Sequence, residues 1–428
     1  MSLKLLIIFV HLHILLAVSG EYKSYVGYKV YQVTPKTKSE QNHLRSLSLS
    51  TELYDFWSIP KKLGEKSNVL VPPKLQETFE RFLRKLNITY AVAIDDVETR
   101  VQRERFLQSV VRTFSQSIKF NRYYRYDEIT HYFDNLARKY PKLVTVKTVG
   151  KSFENRDIKA ITISKHSIEP KNTILVDAGI HAREWIAPAT ALYIVHELVE
   201  NYAKNKNLLK NLNWVILPVV NPDGYEYSHT KERFWRKTRK PYGNCIGTDP
   251  NRNFDFHWNE IGASSNPCSE TFRGENAFSE TEAIALRDLM RSISRDCKFY
   301  LSLHSYGQYM LYPWGYTESL PETWKEIDDV AQSGASAIRK ASGSQYTVGS
   351  STNVLYAAAG GSDDYALGVE EIPISITMEL PSGSGSDLNG FDPSPNKIQS
   401  IVEESWIGIK AMASSVDEKF RNATKGFR

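Results

Sequence analysis

Cysteine is scarce in this chain, with three residues in 428. None of them stands in a Cys-x-x-Cys pair, so neither a redox dithiol nor a thiolate zinc motif has any support. A Gly-x-Ser-x-Gly nucleophile elbow, a phosphate-binding P-loop and a His-Glu-x-x-His zinc helix are missing too. Serine-hydrolase and nucleotide chemistry therefore have no motif to stand on. An excess of one charge is also absent: 54 Lys and Arg against 49 Asp and Glu leave a formal +5, spread along the chain, which offers no surface for nucleic acid. The basic stretch 231–240 accordingly reads as a solvated face. The apolar run 5–18 falls short of the roughly 20 residues that a membrane span needs, and His11 and His13 interrupt it. With Lys4 before it and Ser19 and Gly20 after it, residues 1–20 read as a signal peptide cleaved after Gly20. The expectation is a secreted, extracellular protein with no membrane partner.

In that compartment three cysteines make one bridge and one leftover thiol. Cys245 and Cys268 are the expected pair, because both lie in a loop-rich stretch of Gly, Asn and Pro. A bridge closing a loop of this size contributes about 3 kcal/mol, and Cys297 remains as a buried thiol. Asn87-Ile88-Thr89 and Asn422-Ala423-Thr424 are glycosylation sequons if the chain is secreted.

A chain this long that is 41% hydrophobic can bury a large core and holds more than one folding unit. Residues 21–112 form one candidate unit, with strands at 25–33, 69–71 and 90–94 and helices at 39–49 and 73–86, an open α/β sandwich. Arg100, Arg103, Arg105 and Arg112 follow within a dozen residues and read as an exposed connection open to a trypsin-like protease. Residues 113–428 alternate strands (144–149, 159–164, 173–178, 214–219, 299–304, 374–380) with helices (126–139, 188–204, 280–294, 323–341, 398–416). The expected fold class is α/β, a doubly wound mixed sheet flanked by helices, whose sites form beyond the carboxyl ends of its strands. The run 381–390, rich in Ser and Gly, looks flexible.

His181-Ala182-Arg183-Glu184 stands where the apolar run 174–180 ends, and His304 follows another such run in Leu301-Ser302-Leu303-His304-Ser305. An i, i+3 pair just past one strand and a third ligand from another can converge on one ion. Two imidazoles and a carboxylate leave the fourth tetrahedral position for water, which distinguishes a catalytic zinc site from a closed structural one. Glu379 ends the apolar strand 374–380, a costly place for an acid without a role.

Taken together these segments resemble the zinc metallocarboxypeptidases of the pancreatic carboxypeptidase A/B family, over nearly the whole chain, including signal, prosegment and mature enzyme. Gly179-Ile180-His181-Ala182-Arg183-Glu184-Trp185-Ile186 is similar to the family's first zinc motif, which implies one Zn2+ held by His181, Glu184 and His304. The resemblance makes Asp249 the carboxylate behind a zinc-bound imidazole. It assigns Asn251 and Arg252 to the substrate's terminal carboxylate and Tyr356 to a closing tyrosine. Arg236 would stabilise the oxyanion, Glu379 would be the general base, Arg183 would reach substrate residues further from the cleaved end, and Tyr306 would bind substrate. Asp363 falls where B-type members carry Asp and A-type members an apolar residue, so the chain looks B-type. Pro381 departs from the pattern, since the family carries Arg two residues after the catalytic Glu.

The implied activity is removal of C-terminal Lys or Arg from peptides and proteins with a free C-terminus, by a monomeric enzyme made as a zymogen and released by a trypsin-like protease. The alternatives are apolar or broad specificity on the same machinery, or a secreted binding protein that has lost catalysis.

Overall fold

In the computed structural model the described residues are 22–50, 53–59, 62–110, 118–167, 171–382 and 390–425. The signal-peptide stretch 1–20, Arg112 and most of the Ser/Gly-rich run lie outside them.

The amino-terminal unit is built on strands β1 (Lys29–Thr34), β2 (Asp55–Phe56), β3 (Ser67–Val71) and β4 (Thr89–Ile94), antiparallel in the order β2-β3-β1-β4. Helices Lys38–Ser50 and Gln76–Lys85 cover one face. Successive side chains of a strand point to opposite faces, and both faces here are apolar. Tyr31, Val33, Val69 and Val71 pack on Leu44, Phe79 and Leu83 of the helices. Val30, Leu70 and Ile94 pack with Trp57 against Phe234 and Phe391 of the larger unit. The second face is thus the docking face. The sequence places the first strand at 25–33, but pairing begins only at Lys29.

The larger unit holds strands β5 (Val144–Lys151), β6 (Asp157–Ile163), β7 (Asn172–Ala178), β8 (Leu212–Leu217), β9 (Pro241–Tyr242), β10 (Cys245–Ile246), β11 (Cys297–Ser305), β12 (Tyr309–Tyr312), β13 (Thr347–Ser350) and β14 (Ile374–Leu380). Eight of these form one mixed sheet in the order β13-β12-β14-β11-β7-β8-β6-β5, and β9 and β10 form a small hairpin. The central strands β8, β7, β11 and β14 run parallel. From β7 the chain passes through helix Ile186–Val199 to β8 on one side, and β11 lies on the other, so the strand order reverses between β7 and β11. A cleft opens at the carboxyl ends of such strands.

Period-two alternation sorts the chemistry. Ile174, Val176, Ala178, Leu301, Leu303, Ile374, Ile376 and Met378 face a core shared with helices Ile186–Val199, Trp324–Ser342 and Ile398–Lys425. The opposite face of the same strands carries Asp177, then Tyr300, Ser302 and His304, then Ser375, Thr377 and Glu379. Helices Thr281–Ile293 and Ser362–Gly368 cover that face. Helix Ile186–Val199 is buried on every side except at His196, which explains why its sequence is apolar all round.

Candidate metal centre and substrate cavity

At the end of β7 the chain turns at Gly179, with φ of +61°. A Cβ there would sit 3.2 Å from the Val219 backbone, so the turn that delivers His181 requires glycine. His304 and Glu379 are register partners on adjacent parallel strands, and Ala178 pairs with Leu303. The three loci therefore meet at one edge of the sheet.

His181 Nδ1 lies 2.8 Å from Glu184 Oε1, and His304 Nδ1 lies 3.2 Å from Glu184 Oε2. One candidate ligand atom from each of the three residues lies within 4.8 Å of the others, and all three residues are buried. Burial alone would lift the Glu184 carboxyl, yet the two imidazoles hold it well below the usual carboxylate range. Burial would lower His304, but the Glu184 carboxylate brings it up to about 9. Each value reports the same fact, a carboxylate and two nitrogens forced together out of water. His304 Nε2 and Glu379 Oε2 are buried with no hydrogen-bond partner among the described residues. A carboxylate and two imidazoles at this spacing, with an unpartnered carboxylate oxygen facing the same cavity, suit a zinc ion with an open position.

His181 Nε2 lies 3.0 Å from Asp249 Oδ1. Asp249 Oδ2 accepts from Arg236 Nη2 at 2.8 Å and Nε at 3.2 Å. One buried carboxylate thus orients the imidazole and the guanidinium together. Arg236 Nη1 reaches to 3.9 Å from Glu184 Oε1.

His181, Glu184, Arg236 and His304 line a cavity of about 270 Å3. Asn251, Arg252, Tyr306, Tyr356, Asp363 and Glu379 line it as well, whereas Arg183 does not. Asn251 Oδ1 accepts from Ser362 N at 2.9 Å, which fixes the orientation of its amide. Arg252 is buried, with Nη1 donating to Asn251 O at 2.7 Å. Burial pushes Glu379 up to about 7, with His304 opposing and Glu184 adding to the rise. Of the two neighbouring aspartates, Asp364 is consumed by structure: its carboxylate accepts from Gly315 N at 2.8 Å and Tyr316 N at 3.2 Å. Asp363 meets only hydroxyls, Ser351 Oγ and Thr377 Oγ1 each at 3.4 Å, and has no cationic side chain within ion-pair distance among the described residues.

The Zinc carboxypeptidase family profile matches residues 129–408 and the Carboxypeptidase activation peptide profile matches residues 31–104. The chain belongs to the zinc carboxypeptidase family. It is 39% identical to carboxypeptidase B of Helicoverpa zea over 94% of this chain and 97% of the relative. It is 44% identical to carboxypeptidase B of Astacus astacus over 70% of this chain and 98% of the relative. The crystal structure of the carboxypeptidase A from Helicoverpa armigera superposes with a TM-score of 0.87 at 34% identity, covering 92% of this chain and 98% of that one. The likeness therefore extends across both units of this zinc carboxypeptidase and reaches A-type and B-type relatives alike.

In this zinc carboxypeptidase the activation peptide lies across the cavity. Gln32, Trp57, Ser58, Ile59, Glu65, Lys66 and Asn68 contribute to its lining. Arg183 Nη1 donates to Asp55 at 2.8 and 2.9 Å, and Tyr306 accepts at its hydroxyl from Asn68 Nδ2 at 3.1 Å. Arg183 and Tyr306, two of the residues expected to bind substrate, are thus held by the amino-terminal unit. The stretch 231–240 corrects the expectation of a solvated face. Arg233 is 1% exposed and is gripped by Glu104, at 2.5 Å from Nε and 3.1 Å from Nη2, while Lys237 is buried and donates to Pro267 O. Charge in a sequence does not show its partner, and here the partner lies 129 residues away. Glu104 belongs to helix Val97–Val110, so the described part of the arginine string is helical rather than an open connection. Arg100 within it pairs with the largely buried Asp392 at 3.0 Å. Sequence reasoning also missed Asp55, Asn68, Ser351 and Thr377, none of which carries a motif.

Breaking a buried pair from one side leaves an uncompensated charge and typically costs about 3–5 kcal/mol. Glu104→Ala is therefore expected to lower the Tm of the intact chain markedly, and Glu104→Gln by less. An unchanged Tm for both would show that the pair does not secure the docked unit.

Cys245 and Cys268 form the disulfide, with Cα atoms 5.0 Å apart, and Cys297 is a buried free thiol. Among the described residues no helix is long and apolar enough to cross a membrane.

Proposed function

We propose that this zinc carboxypeptidase is a secreted zymogen that, once residues up to about 112 are removed, cleaves C-terminal lysine or arginine from peptides and proteins. The secretion reading rests on the pattern of residues 1–20 and on the disulfide. The observation that carries the specificity is Asp363, a carboxylate at the cavity wall without a cationic partner among the described residues, beside an Asp364 that is already satisfied. A substrate ammonium or guanidinium would supply the missing charge.

The chain's own residues divide the remaining work. Asn251 and Arg252 hold the substrate's terminal carboxylate, which an internal peptide bond lacks at that position, so only a chain end is accepted. Tyr356 closes over that end. His181, Glu184 and His304 would hold zinc, which when bound would supply Lewis acidity. Glu379 accepts the proton of the attacking water and returns it to the departing amine. Arg236, fixed by Asp249, opposes the negative charge that gathers on the carbonyl oxygen.

The test is a panel of peptides that differ only in the last residue, assayed before and after trypsin treatment. Trypsin is expected to raise activity, and the treated enzyme should release Lys and Arg at least about 30-fold faster than Phe, given what a desolvated charge pair contributes. Equal activity before and after trypsin overturns the zymogen reading. Fastest release of Phe overturns the basic specificity and favours the A-type alternative.

A further inference from the structure

We infer that Asp177 is the outer partner of His304, accepting the Nε2 proton of that imidazole through one buried water and so holding its Nδ1 toward zinc. The inference rests on the ligand set given above. The two imidazoles of that set are served unequally by the rest of the chain. His181 turns Nδ1 to Glu184 and Nε2 to Asp249, at 2.8 and 3.0 Å, so a carboxylate stands behind it. His304 also turns Nδ1 to Glu184, at 3.2 Å, but its Nε2 is buried with no hydrogen-bond partner among the described residues. A metal-bound histidine almost always donates its other ring N–H to a carboxylate, a carbonyl or water. On this side of the site the carboxylate is Asp177. It is fully buried, and neither of its oxygens has a hydrogen-bond partner among the described residues.

The sheet brings the two groups together. Asp177 of β7 is the register partner of Ser302 on β11, and His304 stands two residues further along β11 on the same face. Ser302 Oγ is likewise buried without a partner among the described residues. Four such atoms on three neighbouring residues of one sheet face call for a shared partner. A single water supplies it, accepting from His304 Nε2 and donating to one Asp177 oxygen and to Ser302 Oγ, three bonds being usual for a buried water. Burial pushes the Asp177 carboxyl up to about 6, with the neighbouring Tyr300 and Ser302 hydroxyls and the His304 imidazole opposing the rise, and Asp177 in turn is among the groups that lift His304. The two side chains thus stand within electrostatic reach of each other. With its proton fixed on Nε2, the imidazole presents the Nδ1 lone pair to the metal. No motif marks Asp177, which is one acid inside the apolar run 174–180.

The test uses the full chain without protease treatment and reads zinc binding rather than activity. Asp177→Asn is expected to raise the Kd for zinc by about 10- to 100-fold in competition with a chelator, the usual cost of losing such an outer partner. The Tm of the zinc-free protein should equal the parent's or exceed it, because without the metal this carboxylate is a buried charge lacking compensation. An unchanged Kd overturns the inference. So does a raised Kd accompanied by a lower zinc-free Tm, the mark of a merely structural role. Should the variant fail to fold, NMR of the histidine side chains in the zinc-loaded parent decides: the His304 Nε2 proton is expected to exchange slowly with solvent, and rapid exchange overturns the inference. His304→Ala is measured alongside. If it keeps the parent's affinity for zinc, the ligand set itself fails and this inference falls with it. If it abolishes binding while Asp177→Asn keeps the parent's Kd, only the role of Asp177 is lost.

Discussion

Glu379→Gln is expected to lower kcat by a factor of about 10² to 10⁴, the usual contribution of a positioned general base, while zinc content stays stoichiometric. The amide keeps the shape and the burial of the side chain but cannot take a proton. The distinction from ligand loss matters, because Glu379 shares the sheet edge with His304 and a careless substitution would disturb both. Metal analysis together with single-turnover kinetics separates the two. Chelation should remove the same activity from the parent, and added zinc should restore it. The pH profile follows from the same group. Burial pushes Glu379 up to about 7, and a divalent cation nearby favours the charged form and draws that value down. A base works only when deprotonated, so kcat/KM should fall as pH drops through an acid limb at or below pH 7, and Glu379→Gln should abolish that limb. Residual activity with the limb unchanged would transfer the base role to another group.

Asp363→Ile should exchange one specificity for another. Removing one member of a desolvated charge pair costs about 2–5 kcal/mol, so release of Lys and Arg is expected to drop by roughly 30-fold to several thousandfold. Release of apolar residues should rise, since the isoleucine replaces a buried charge with surface that a leucine or phenylalanine side chain can cover. The effect belongs to substrate binding and transition-state alignment rather than to the metal, so zinc content should not change. Preference that stays with Lys and Arg after the substitution would show that Asp363 is a turn residue and that another group selects the basic side chain.

The central sheet was legible because buried parallel strands write themselves as apolar runs. β14 and helix Tyr126–Lys139 fall where periodicity places them, and β7 and β11 differ from expectation by a residue or two. The edge strands β12 and β13, four residues each, are too short to generate a pattern. Helix Val97–Val110 escaped for another reason. Its inward face includes Glu104, made tolerable only by Arg233 of the other unit, so no apolar stripe announces it. The predicted helix at 188–204 begins at Ile186, ends at Val199 and is followed by a separate turn, Tyr202–Asn205. Within the site, the ligand triad was readable from residue type and strand position, and the family likeness supplied the assignments of Asn251, Arg252, Tyr356 and Asp363. What no local pattern could supply was the third dimension of the pocket floor, where Ser351 from the short helix after β13 and Thr377 from β14 approach Asp363, and the identity of the groups that occupy Arg183 and Tyr306.

That occupancy comes from the amino-terminal unit. Asp55 and Asn68 reach Arg183 and Tyr306, while the hydroxyls beside Asp363 come from the larger unit itself. Latency and taste are thus written on different surfaces of one cavity, and a lineage could rewrite the floor through a handful of substitutions while keeping an unaltered safety catch.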